Sequence, residues 1–135
     1  MENKELYRLD ISEKKINILG VLEEGIKIDF DGEESIEIYT KHESDCCENA
    51  WGDFDIMKYY EEKIKGKTFD TLIIKGVEDM GFLLCFEKKY GDKIKVFIPC
   101  YSSNNGYYSD NLSLIIKRGE IKTEIDIRNL HEDTD

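Results

Sequence analysis

The seven residues His42-Glu43-Ser44-Asp45-Cys46-Cys47-Glu48 bring an imidazole, three carboxylates and two adjacent thiols into one short stretch. Zinc takes about four Cys, His or carboxylate ligands in a tetrahedron, and thiolates beside an imidazole are the right chemical types. His42 with Cys46 or Cys47 would need Cys85 or Cys100 to complete such a set. The spacing opposes it, because adjacent cysteines on a strand point to opposite faces and no C-x-x-C or H-x-x-x-H pair occurs. No metal and no cofactor is expected; a metal, if bound, would fall to His42, Cys46, Cys47 and Cys100.

A catalytic thiol needs a base that lowers its pKa. His42 is the only histidine near a cysteine in sequence, and Asp45 and Glu48 would push a neighbouring thiol the wrong way. A vicinal disulfide would strain the peptide between Cys46 and Cys47. The plain reading makes His42 the end of a strand, Asp45 a turn cap and one cysteine a small buried hydrophobe. A binding surface built on the same turn, with His42, Asp45 and Glu48 as contacts, is the functional reading.

The second distinctive run is Ser102-Ser103-Asn104-Asn105-Gly106-Tyr107-Tyr108-Ser109. Asn-Gly makes a tight turn, and the tandem tyrosines put one ring on each face of the strand that leaves it. With Tyr101, the residues Asn104, Asn105, Tyr107 and Tyr108 form a candidate patch for a protein partner or for a stacked base or sugar. Ordinary cross-strand packing is the alternative. Phosphate cradles and nucleophile elbows have no counterpart, since G-x-x-x-x-G-K-[ST], G-x-G-x-x-G and G-x-S-x-G are all missing. The carboxylates at Asp29, Asp31, Glu33 and Glu34 read as a solvated loop, and no enzymatic activity is expected.

The elements that must position these runs are strands. Leu6 to Ile11, Lys15 to Leu22, Ile26 to Phe30 and a strand through Ile36 and Ile38 alternate with period two, and Asp31-Gly32 supplies a hairpin turn. Asp53 to Lys65 breaks that rhythm: Phe54, Ile56, Met57, Tyr60 and Ile64 recur at helical spacing, with Asp53 or Asp55 as N-cap and Gly66 as C-cap. Strands resume at Phe69 to Gly76, Phe82 to Lys88, Lys93 to Tyr101, Tyr107 to Lys117 and Glu120 to Arg128. Turns at Tyr90-Gly91-Asp92, Asn105-Gly106 and Arg118-Gly119 would string the last four into a meander. Pro99 lacks a donor, so its strand is an edge or bulges there. The sum is one α+β domain over residues 1–128: a strongly twisted antiparallel sheet of N-terminal hairpins and C-terminal meander, one helix packed on it, and a polar tail from Asn129 to Asp135.

Length and charge set the class. A chain of 135 residues buries a core without metals or disulfides. Nineteen basic against thirty acidic residues give a net charge of −11, which repels phosphate backbones and disfavours direct nucleic-acid binding. A basic protein surface suits it better. With no apolar leader and no membrane-length run, a cytoplasmic protein with reduced thiols is expected. An exposed meander edge would allow a homodimer.

H-x-x-D-C-C-E at His42, Asp45, Cys46, Cys47 and Glu48, followed by the S-N-G-Y-Y-S-like run at Ser103 to Ser109 with one extra asparagine, resembles a family of small uncharacterised phage and bacterial proteins. The similarity runs from about residue 40 to residue 117, and Gly52-Asp53-Phe54 looks like the G-D-L that opens the family's helix. Phe82-Leu83-Leu84-Cys85-Phe86 departs from the family's aromatic T-W-T-F-Y-like strand. The resemblance implies a phage or prophage setting, in which a small accessory protein would bind and inhibit a host defence component in an anti-CRISPR or similar role; the acidic charge adds that this partner has a basic surface. Two alternatives stand beside it: a small-ligand binder that sequesters a nucleotide-type signal, and a metal protein built on His42 and cysteines.

Overall fold

The computed structural model describes residues 4–32, 34–42, 50–77, 81–102 and 112–126, with only the backbone given at Lys4, His42, Ala50, Ser102 and Asp126. These residues form ten strands. β1 (Lys4–Asp10), β2 (Ile16–Val21), β3 (Gly25–Phe30), β4 (Ser35–His42) and β5 (Ala50–Gly52) come first. A 3-10 turn at Asp55–Tyr59 and one helical turn, α1 (Glu61–Ile64), separate them from β6 (Thr71–Val77), β7 (Gly81–Glu87), β8 (Lys93–Ser102), β9 (Leu112–Arg118) and β10 (Ile121–Asp126).

The strands make two five-stranded antiparallel sheets, ordered β1-β6-β7-β8-β5 and β10-β9-β4-β3-β2. Period-two alternation turns one face of each inward. Leu72, Ile74, Phe82, Leu84, Phe86 and Ile98 of the first sheet join Ile26, Ile28, Ile36, Ile38, Leu114 and Ile116 of the second in one apolar core. Phe54 stacks at a tilt on Phe82, 5.8 Å between centroids, and Phe69 on Phe86 at 5.6 Å. Such pairs add roughly 0.5–1.5 kcal/mol beyond the area they bury.

The β3–β4 hairpin forms as its turn chemistry requires, with Ile28 opposite Ile36 and Gly32 at φ +97°. The hairpin expected of the strands at Leu6 to Ile11 and Lys15 to Leu22, around Ser12-Glu13-Lys14, does not. β1 pairs with β6, and Ile11 donates its N–H to Asp70 O at 3.0 Å. The turn after β1 is built to match: the Asp10 carboxylate accepts the Ser12 N–H at 3.0 Å and its hydroxyl at 2.7 Å, and Glu13 takes φ +65°. That Asx-type turn carries the chain out of the first sheet into the second.

The expected four-strand meander is likewise split. β7–β8 and β9–β10 are hairpins, but β8 continues to β5 and β9 pairs with β4. Turn residues dictate that the chain reverses, not which sheet the next strand joins. The Asn105-Gly106 turn lies outside the described residues, as does the tail from Asn129.

The helix expected over 53–65 is reduced to its two short pieces. Met57 and Tyr60 bond three residues back, to Phe54 O and Met57 O, while Ile64 and Lys65 bond four residues back, to Tyr60 O and Glu61 O. Asp53 accepts the Asp55 N–H at 3.0 Å in an Asx turn, so neither acid caps a helix. Ile56, Tyr59 and Tyr60 are poor helix formers, and seating Met57 and Ile64 in the core overrides the weak α preference. Gly66 does follow α1 at φ +82°, and its N–H reaches Ile16 O at 2.7 Å.

Pro99 sits where β8 changes from edge to interior. β5 covers only residues 100–102 of β8, and Pro99 O accepts the Asp53 N–H at 2.9 Å just beyond. A strand residue's nitrogen points the same way as its carbonyl, so the missing donor faces that edge. Among the described residues, no helix is long and apolar enough to cross a membrane.

Candidate functional site

Two of the connections that cross between sheets leave from one corner of the molecule. Residues 43–49 join His42, opposite Leu112 on β9, to Ala50, opposite Ser102 on β8. Residues 103–111 join that same Ser102 to that same Leu112. The two distinctive runs of the sequence, more than 50 residues apart, are therefore anchored on the same four strand ends.

A buried polar pin holds the corner. Gly52 donates its N–H to the Thr40 hydroxyl at 3.0 Å, two residues inward of Ala50 and His42. Thr40 is the buried polar side chain of the described core, and its own N–H goes to Glu24 O at 3.0 Å. A Cβ on Gly52 would lie 2.8 Å from Thr40 Cγ2 and 3.3 Å from the Phe54 ring, so only glycine lets β5 approach β4 this closely. Gly52-Asp53-Phe54, singled out in the sequence as a motif, is thus a packing feature of this corner.

Outside the pin, Trp51 and Tyr101 face each other across the β5–β8 ladder with centroids 5.9 Å apart and planes tilted by 41°. Tyr101 is 37% exposed and Trp51 half-buried. Tyr101 was expected as a contact residue. Trp51 was not, because β5 is only three residues long and leaves no periodic trace; its being the single tryptophan was the available signal.

The remaining expected contacts, Asp45, Glu48, Asn104, Asn105, Tyr107 and Tyr108, and the side chain of His42, lie outside the described residues, as do Cys46 and Cys47. Cys100 faces the core, and burial pushes its thiol up to about 12. Cys85 lies on the opposite face of the first sheet, with Lys95 its partner on β8, and desolvation raises its thiol too. Both are neutral thiols at physiological pH, the wrong state for a nucleophile. Among the described residues, no three His, Cys, Asp or Glu side chains are placed to share a metal ion.

No family model, curated protein or solved structure matches the chain.

Proposed function

We propose that this chain is a non-enzymatic recognition protein, and that the corner flanked by Trp51 and Tyr101 is its binding end. One observation carries the reading: residues 43–49 and 103–111, which hold the chain's densest polar run and its Asn-Gly-Tyr-Tyr run, are anchored on the same strand ends. Connections set at one end of a rigid sheet scaffold are where binding residues concentrate. A half-exposed Trp–Tyr pair beside them supplies the kind of anchor that dominates interface energetics.

The net charge of −11 fits a partner with a basic surface, drawn in by long-range attraction. The likeness to small phage proteins makes a host-defence component, blocked in the host cytoplasm, the partner class we favour. The test is capture from a host lysate by wild type and by Tyr101→Arg. Tyr101 is exposed enough to change without unfolding the chain, and loss of a central aromatic anchor weakens binding by about thirtyfold. A basic protein held by wild type and lost by the variant supports the reading; no specific capture, or capture indifferent to Tyr101, overturns it.

A further inference from the structure

Among the described residues of this acidic chain lies a cavity whose lining is cationic on balance. At the far end of the first sheet, Arg8 from β1, Asp70 just before β6, Glu87 at the end of β7, and Lys88, Lys89 and Lys93 surround an open cavity of about 280 Å³. Four cations stand against two carboxylates in the lining, an excess of +2 that becomes +1 once Glu5, paired with Arg8, is counted, in a chain of net charge −11. At physiological ionic strength a charge is felt over roughly 8 Å, so a small anion here responds chiefly to these nearby groups and little to distant acids.

Both acidic residues take part in the hydrogen bonds of the turn, Asp70 through its carboxylate and Glu87 through its backbone carbonyl. Asp70 accepts the Lys89 N–H at 2.5 Å, and its own N–H goes to Glu87 O at 2.9 Å, while Lys88 N–H closes the turn on Asp92 O at 3.0 Å. Asp70 thereby fixes the turn that displays the lysines. Arg8 is held in place by Glu5 through Nε at 3.1 Å and Nη2 at 2.9 Å. Among the described residues, none of the three lysines is in an ion pair, although the chain has acids to spare. Tyr90, 88% exposed on the same turn, has Lys89 Nζ 5.5 Å from its ring centroid. Cations, turn and flat ring together suit a phosphate carried on a small molecule, since lysines hold phosphate as point charges and tyrosine stacks a ring.

We propose that this cavity binds the phosphate groups of a small phosphorylated molecule. The site is separate from the Trp51–Tyr101 corner: Lys93 and Tyr101 are eight residues apart along β8, roughly 27 Å. Either site therefore stands or falls without the other.

The test is an amide-resolved NMR titration of the full chain with inorganic pyrophosphate and, separately, with ADP, at constant ionic strength. Saturable shifts should centre on residues 87–93 with both probes, and the double variant Lys89→Ala/Lys93→Ala should weaken them by about tenfold or more. Both lysines are exposed, so the variant keeps its fold, and an unchanged spectrum elsewhere verifies this. Tighter binding of ADP than of pyrophosphate, with the gain lost in Tyr90→Ala, assigns the ring contact to Tyr90. Absence of saturable shifts with either probe, or shifts that survive the double lysine variant, overturns the proposal.

Discussion

The Gly52 N–H and the Thr40 hydroxyl meet at 3.0 Å in the buried seam between β5 and β4, and this single bond ties an edge of one sheet to the middle of the other. Thr40→Val keeps the shape and removes the acceptor, leaving a buried donor unpaired. The expected cost is about 1–3 kcal/mol, read from urea unfolding. Gly52→Ala should cost more, because its Cβ must displace Thr40 Cγ2 from 2.8 Å. Equal stability of Thr40→Val and wild type would show that the bond does not pin the corner.

At the opposite end of β9, Arg118 donates to Asp10 O and to Glu34 Oε1, both at 2.9 Å, and Lys14 Nζ reaches the same Glu34 oxygen at 2.7 Å. The clasp joins the β1–β2 crossing to the β3–β4 turn. The Lys14 hydrogen bond chiefly holds the Glu34 carboxyl below its ordinary value of 4.5; desolvation opposes it, and the Arg118 hydrogen bond adds a lesser downward pull. A depressed folded-state pKa contributes stability above the unfolded value and loses it as pH falls through the folded one. The protein should therefore lose stability on acidification below about pH 4.5, and Glu34→Gln should flatten that part of the curve. At neutral pH the variant should cost only about 0.5–1 kcal/mol, since the pair is a third exposed. Parallel acid melts of wild type and variant would contradict this.

Much of the fold was legible in alternation, and the failures share a cause. Ile26, Ile28, Ile36 and Ile38 announced their hairpin because pattern and turn residues sit within one short stretch. β1 and β9 were equally plain as strands, yet their partners, β6 and β4, lie far away in sequence and are chosen by core packing. The helix failed where tertiary packing of Met57 and Ile64 outweighed a marginal local preference. At the corner, spacing alone separated the His42 run from the Asn-Gly-Tyr-Tyr run, and only strand register places their anchors together. The lysines near Tyr90 read as an ordinary turn because charge segregation becomes visible only when Arg8 is brought beside them.

Burial makes a sharp statement about thiol chemistry. Cys85 and Cys100 are 0% and 2% exposed, and the Cys100 thiol ionises only near pH 12. Under native conditions at pH 8, iodoacetamide should leave both unmodified, and both should label once denaturant is added. Peptide mass mapping reads the outcome site by site. Native labelling of Cys100 would mean that the core opens at the β5–β8 seam.

Gly66 offers a test in which backbone and packing separate. It sits at φ +82° just past Lys65, the residue that closes α1, and a Cβ there would meet nothing within 4 Å. Any penalty for a side chain is then purely conformational, about 1–2 kcal/mol for Ala in the left-handed region. Asparagine tolerates that region better, so stability should fall in the order Gly, Asn, Ala. The Gly66 N–H bonds to Ile16 O at 2.7 Å and the Ile16 N–H to Lys67 O at 2.9 Å, which fastens this turn to the edge strand β2. Loss of the left-handed geometry should therefore raise amide exchange at both residues, 66 and 16, ahead of the rest of β2. Equal stability of the Ala and Asn variants, or faster exchange at residue 66 alone, would show that the turn and the edge strand are not mechanically joined.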